Sequence, residues 1–250
     1  MGKANRLVME LIDQSDIILF VIDARFPKET FSEKYAKIIE SKNKPMIIVA
    51  NKADLVDYKK EKEIIRMFSY PVIMFSAKNR WGTKRLKIKI YEVGEKYYPE
   101  KQKYDVGLIG FPNVGKSSII SVMKGKAVAK TSMWAGFTRG LQKVRINKRI
   151  AFWDSPGYLE PNNETTLALI GAINPEKLVD PLTPAEIILK QFNLNLEDVA
   201  LALNFLQKNS QLDLERAARE IIRSHIKGTL YQKIQKILEK VKKENVKNND

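Results

Sequence analysis

The chain has no cysteine and a single histidine. Disulfides, thiolate metal sites and histidine-rich metal centres are thereby excluded as organising features. Long apolar runs are missing as well. The longest uninterrupted one, Ile17 to Ile22, is far short of a bilayer span, and the N-terminal MGKANR carries no signal-peptide core. These absences predict a cytoplasmic protein with no membrane partner. Acidic residues are scarce relative to basic ones, 29 against 44, which leaves a formal net charge of +15 over 250 residues. A field of that sign attracts polyanions, nucleic acid first among them, although charge alone does not separate a nucleic-acid binder from a basic soluble protein.

What is present has an α/β pattern. DIILFVIDAR (16–25), KPMIIVANKAD (44–54) and YPVIMFSAK (70–78) each hold a short β-branched run that stops at polar residues, as strands buried on both faces do. SEKYAKIIESKN and DYKKEKEIIRMF, between them, have helical spacing of apolar residues. This βαβαβ pattern predicts a mostly parallel sheet flanked by helices. A basic, tyrosine-containing connector (roughly 84–103) follows, then YDVGLIG as a strand, KSSIISVMKG as a helix, and LQKVRI with RIAFWD as a hairpin around Asn147 and Lys148. One sheet of about six strands thus fills a first domain, 1–160. From 161 to 250 the strand signal vanishes, and TPAEIILKQF, LEDVALALNFLQKN, DLERAAREIIRSHIKG and the lysine-rich C-terminus predict a small all-α, basic domain.

Gly110-Phe-Pro-Asn-Val-Gly115-Lys116-Ser117 matches the phosphate-loop pattern and lies between an expected strand and an expected helix. Backbone N–H groups of Asn113, Val114, Gly115, Lys116, Ser117 and Ser118 are expected to surround phosphates. Lys116 would reach the β/γ oxygens, and the Ser117 hydroxyl would face Mg²⁺. Asp154-Ser-Pro-Gly157, at the end of a later strand, offers a carboxylate to the Mg²⁺ shell and a glycine amide to a γ-phosphate. Thr138, in WAGFTRG between the two, is the candidate switch threonine that joins the metal when a γ-phosphate is bound. Asn51-Lys52-Ala-Asp54 selects the base: guanine presents N1–H and N2–H₂ donors that the Asp54 carboxylate accepts together, and adenine cannot supply them. Asn51 is expected to tie the loop and Lys52 to cover the base, while Ser76-Ala77-Lys78 turns a backbone N–H toward guanine O6. GTP or GDP is the implied ligand.

These elements stand in an unusual order, with the base-reading loops ahead of the phosphate loop. With DAR-x-P (Asp23, Ala24, Arg25, Pro27), NKAD, SAK, G-x-P-N-V-G-K-S and D-S-P-G all present, the chain resembles the circularly permuted GTPases of the YlqF/YawG type, in an archaeal form. LDLERAAREIIRSHIKGTL (212–230) is similar to that family's closing helical segment. The resemblance implies a permuted P-loop GTPase domain, slow GTP hydrolysis, and a switch role in large ribosomal subunit assembly. The partners would be the large subunit or its precursor, and rRNA. A monomer is favoured.

Tyr158 stands where ordinary small GTPases place a water-orienting Gln, so intrinsic turnover is expected to be slow. The alternative is a nucleotide-gated RNA-binding scaffold with incidental hydrolysis. Candidate catalytic residues are Lys116, Thr138, Gly157 and Asn113; the last sits where potassium-using GTPases coordinate K⁺, or else serves as a loop-capping amide. The resemblance implies that bacterial relatives carry an N-terminal segment with a histidine proposed to act in catalysis, for which no counterpart is expected here, and His225 falls far away in the C-terminal part. Arg216, Arg219 and Arg223 share one helical face and suggest an RNA-phosphate stripe, or otherwise a solvated face.

Overall fold

The computed structural model describes residues 3–125, 140–157, 164–190, 192–207, 211–230 and 232–235. Contacts divide the chain into two compact units, Met1–Pro161 and Asn162–Asp250.

The first unit opens with α1 (Lys3–Gln14), which buries Val8, Leu11 and Ile12. Then follow β1 (Ile17–Asp23), α2 (Glu33–Ser41), β2 (Met46–Asn51), a 3-10 turn (Ala53–Leu55), α3 (Tyr58–Met67) and β3 (Val72–Met74). Every residue of β1 and β2 is buried, which explains their nearly continuous Ile/Leu/Val/Phe content. Local capping fixes where α2 and α3 begin: Ser32 accepts from the Tyr35 N–H, and Asp57 accepts from the Lys60 N–H.

The basic connector is itself a helix, α4 (Thr83–Tyr97). Its Leu86, Ile90, Val93 and Gly94 are buried at three- and four-residue spacing, a stripe masked in the sequence by the lysines around it. The chain continues through β4 (Tyr104–Ile109), α5 (Lys116–Met123), β5 (Gln142–Arg145) and β6 (Ile150–Asp154). The six strands form one sheet in the order β3-β2-β1-β4-β6-β5, parallel except for the β5–β6 pair. Both β2 and β4 flank β1, so chain direction reverses its lateral progress there. Ligands in open α/β sheets bind outside the carboxyl ends at such a reversal.

The second unit contains α6 (Glu164–Leu169), a 3-10 turn (Pro175–Lys177), α7 (Leu182–Lys190), α8 (Leu196–Ala202) and α9 (Leu214–Lys227). The α8 helix is shorter than its apolar periodicity suggests: Asn204 adopts φ 54°, and an isolated bridge then pairs Leu206 with Leu212. The α9 helix buries Ala217, Ala218, Ile221, Ile222 and His225. The lone histidine is therefore a core residue of this unit.

Gly94 gives a test of how tightly α4 packs. Alanine is the better helix former by about 1 kcal/mol. Yet a Cβ at Gly94 would stand 2.6 Å from Tyr104 ring carbons, and overpacking costs about 1–3 kcal/mol. The clash wins, so Gly94→Ala should lower the melting temperature by a few degrees; an unchanged or higher value in a thermal melt would contradict this packing.

Candidate nucleotide site

The phosphate loop leaves β4 at Gly110, whose φ of 151° and close approach to β1 leave no space for a side chain: an added Cβ would lie 2.3 Å from the Val21 carbonyl oxygen. Asn113 adopts φ 61° and Gly115 φ 97°. Gly115 then serves as the N-cap of α5 and brings no capping side chain of its own to the first turn's N–H groups. Together with the positive end of the helix they form an anion-binding concavity. Lys116 is buried, 7% exposed, and its Nζ donates to the carbonyls of Gly110 (2.9 Å) and Phe111 (2.8 Å). Burial pulls its ammonium pKa from the usual 10.5 down to about 8, against the opposing pull of Asp154. Val114 is buried, and Ser118 is half-buried one residue after Ser117.

Asp154 ends β6 in register with Leu108 of β4, which brings it beside the phosphate loop. Ser117 Oγ donates to Asp154 Oδ2 at 2.7 Å. A hydroxyl and a carboxylate side by side are hard oxygen donors that fit a Mg²⁺ whose remaining positions are filled by phosphate and water. Among the described residues no cluster of three or more His, Asp or Glu forms an all-protein metal cage. Gly157 lies against the same loop, since an added Cβ would stand 2.5 Å from the Pro112 nitrogen. Thr138 and Tyr158 fall outside the described residues.

The candidate base-reading loops arrive from β2 and β3. Asn51, 2% exposed, donates from Nδ2 to the Val114 carbonyl (2.7 Å) and accepts on Oδ1 from the Ala77 N–H (3.1 Å). One side chain thus joins the phosphate loop, its own loop and the Ser76-Ala77-Lys78 loop. Asp54, in the 3-10 turn, accepts from Ser76 Oγ at 2.6 Å, and the same Oγ accepts from the Asn79 N–H at 3.1 Å. Ser76 is further held by a two-way backbone bridge to Trp81. Asp54 and Ser76 are therefore brought together. Lys78 is exposed.

Lys52 has a partner that the motif alone does not reveal. In a left-handed backbone conformation, it donates to Asp23 Oδ2 at 2.7 Å. Asp23, buried at the end of β1, also accepts from the Arg25 N–H and Nε (3.0 Å each) and from Arg25 Nη2 (2.7 Å). Burial alone would raise the Asp23 pKa, but the flanking Arg25 and Lys52 charges outweigh it and hold the carboxylate well below its usual range. Burial lowers the Lys52 pKa despite the Asp23 charge. The signal that could have found this trio is a charged residue closing a wholly apolar strand directly beside Asn51, its register partner.

In the second unit, the arginine stripe of α9 is partly committed. Arg219 donates to the carbonyls of Pro175 and Leu178, Arg223 pairs with Glu176 and Glu220, and Arg216 covers the Phe205 ring. Among the described residues no helix is long and apolar enough to cross a membrane.

A family model described as 50S ribosome-binding GTPase matches residues 105–242, beginning at the second residue of β4 and leaving the base-reading loops outside. An uncharacterized GTP-binding protein of Methanocaldococcus jannaschii is 37% identical over 254 aligned positions, covering 92% of this chain and 66% of the relative. Nucleolar GTP-binding protein 2 of Neurospora crassa is 38% identical over 192 positions, 72% of this chain and 31% of that protein. The chain therefore spans about two thirds of the archaeal relative and about a third of the nucleolar one. Among solved structures, GNP-bound YlqF of T. maritima superposes with a TM-score of 0.65 at 25% identity, covering 91% of this chain and 95% of that one. The GDP-bound form gives the same TM-score over 89% and 94%.

The displaced pKa of Lys116 has a measurable consequence for the ligand-free chain. Its folded value is below its unfolded one, so the unfolded state holds more protons between about pH 8 and 10.5, and stability contributed by this group rises with pH through that window. Compared with Lys116→Met, the parent chain should gain about 3 kcal/mol across the window in urea unfolding. A flat difference would mean that Lys116 is not desolvated.

Proposed function

The chain belongs to the circularly permuted branch of the 50S ribosome-binding GTPase family, and from that premise we propose that it binds GTP and GDP at the carboxyl ends of β1, β2, β4 and β6 and hydrolyses GTP slowly. The observation that carries this reading is the Asn51 side chain, which holds the phosphate loop and the Ala77 loop on one centre. The parts of a guanine-nucleotide site, scattered in sequence, thereby face a single ligand.

The roles follow from the chemistry of each group. The α5 N–H groups and Lys116 hold the phosphates, with Lys116 countering charge that develops between the β- and γ-phosphates during hydrolysis. Ser117 and Asp154, joined by Thr138, would hold Mg²⁺, which neutralises phosphate charge when bound; Asn113 is the proposed K⁺ ligand. Gly157 offers its amide to the γ-phosphate. Asp54, preset by Ser76, accepts the guanine N–H groups. Lys52, anchored to Asp23, gives the base loop a fixed wall.

Relatives that carry "nucleolar" and "50S ribosome-binding" in their descriptions support a partner in the large ribosomal subunit or its precursor. The net charge of +15 supports contact with rRNA. Gly157 is followed in the chain by the helical unit, so we propose that contact with γ-phosphate is transmitted to that unit. A second reading, a nucleotide-gated RNA scaffold with incidental hydrolysis, draws on Tyr158 in place of the usual glutamine.

Two measurements test these assignments. Asp54→Asn should shift preference from guanosine toward xanthosine nucleotides by roughly two orders of magnitude or more in competition binding, because the amide presents a donor where guanine also donates. Retained guanine preference would remove Asp54 from its role. Co-sedimentation with separated ribosomal subunits should give salt-resistant binding to the large subunit with a non-hydrolysable GTP analogue and weaker binding with GDP. Equal binding to both subunits that fades with salt would reduce the partner assignment to nonspecific attraction, and addition of large subunits without any rise in hydrolysis would favour the scaffold.

A further inference from the structure

At the amino ends of β4 and β6, away from the nucleotide loops, the β5–β6 hairpin borders a groove of about 400 Å³. Lys103, Lys143, Arg145, Lys148 and Arg149 line it, with Asp105 as its single carboxylate. Two of the cations are held by neighbours. Lys143 pairs with Asp105 at 2.7 Å, while Arg149 reaches Glu95 at 3.3 Å and stacks over the Tyr91 and Tyr104 rings, 4.9 and 5.8 Å from their centroids. Lys103, Arg145 and Lys148 are exposed and make no ion pair among the described residues; Arg145 Nε donates to the Asn147 carbonyl at 3.3 Å, which sets the guanidinium over the turn and leaves its terminal nitrogens to a ligand.

The hairpin turn that carries them is well built. Asn147 Oδ1 accepts from the N–H groups of Arg149 (2.8 Å) and Ile150 (2.9 Å), and its Nδ2 donates to the Tyr91 hydroxyl (3.1 Å). Lys148 therefore projects from a fixed turn. On β5, Lys143 and Arg145 share a face about 7 Å apart, a spacing at which cations can follow successive phosphates. A solvated charged face would be expected to intersperse signs; this one carries five cations against one acid inside a concave surface.

We propose that this groove is an RNA-phosphate contact of the first unit, separate from the nucleotide site. It rests on the reading of the chain as an RNA-engaging protein and adds a location to it. Phosphate oxygens pair with Lys103, Arg145 and Lys148. Arg149, stacked on Tyr91, offers a guanidinium plane and its remaining N–H groups to a ribose or base. Nothing in the contact reads sequence, so it sets grip and orientation, leaving specificity to other surfaces.

The test uses the full chain and a fluorescent single-stranded RNA of mixed sequence, measured by anisotropy over a salt series. The variant K103Q/R145Q/K148Q is compared with K34Q/K59Q/K84Q, which removes three exposed lysines of the same unit outside the groove. Guanine-nucleotide affinity and circular dichroism verify that both variants are folded. The groove variant should lose about tenfold in affinity and flatten the slope of log K against log salt by about 2, whereas the control changes little. Equal losses in the two variants would overturn the groove. So would unchanged RNA binding accompanied by lost binding of a polyglutamate peptide, which would reassign the groove to an acidic protein. If the parent chain binds no RNA at all, the RNA-engaging reading fails together with the groove; if it binds and only the groove comparison fails, that reading stands.

Discussion

The candidate site depends on one buried carboxamide. Asn51 spends its donor on Val114, 63 positions away, and its acceptor on Ala77, 26 positions away. A buried amide left without partners costs about 1–3 kcal/mol for each unmade bond, so the two loops and the β2 end hold each other in one arrangement. The constraint is spatial, and chain order is irrelevant to it. The loops need only emerge from the carboxyl ends of neighbouring parallel strands. That is why a base-reading half written first and a phosphate-binding half written second can meet. The α4 helix makes the join: it packs Leu86, Ile90 and Val93 into the core and delivers the chain to β4, next to β1.

The two lysines of the site, Lys116 buried and Lys52 half-buried, show how similar desolvation serves different ends. Lys52 is compensated on the spot by Asp23, itself locked by Arg25, and this closed trio is a structural wall. Breaking such a buried pair by removing one partner is costly, which suits a part that must not move. Lys116 has two carbonyls for company, while the nearby Asp154 carboxylate is also engaged by Ser117. Burial lowers the pKa of both lysines, that of Lys116 to about 8, but among the described residues only Lys52 has a carboxylate in direct contact. An anion arriving at the α5 N-terminus supplies the missing countercharge. Strong perturbation by burial in a concavity is the pattern expected of a group that acts on a ligand.

The sequence made the site legible where local chemistry leaves few options. A glycine loop between a strand and a helix, with Lys and Ser after it, is hard to satisfy by accident, and the buried strands announce themselves through runs such as Ile17 to Ile22. Legibility failed where the partner is distant or the pattern diluted. The α4 stripe is hidden among Lys84, Arg85, Lys87 and Lys89, and α1 precedes the first strong apolar run. The Asp23–Lys52 pair joins residues from adjacent strand ends, visible only once register is known. The α9 arginines show the converse limit: periodicity gives the face a residue occupies, but not what stands across from it. The Pro175 and Leu178 carbonyls and Glu176 come from a turn some forty residues upstream and absorb Arg219 and Arg223.

A net charge of +15 consequently has to be read by location. Cations tied to internal carbonyls or carboxylates contribute to the far field, yet they offer few free donors to a phosphate. In the described part of the first unit, the groove cations without ion pairs gather at the amino end of β6, and Asp154 closes its carboxyl end. The five-residue strand, Asp154 included, spans about 13 Å of stiff backbone between the two ends. Such a strand cannot carry a signal by itself, because coupling requires an element with two arrangements that both ligands bias. What it would do, with a polyanion held in the proposed groove, is fix orientation: the proposed nucleotide loops at the other end of β6 would stand at a defined angle to that polyanion. The segment that follows Asp154, with Gly157 against Pro112, is then the part whose change with the nucleotide would be expressed relative to an RNA held as proposed.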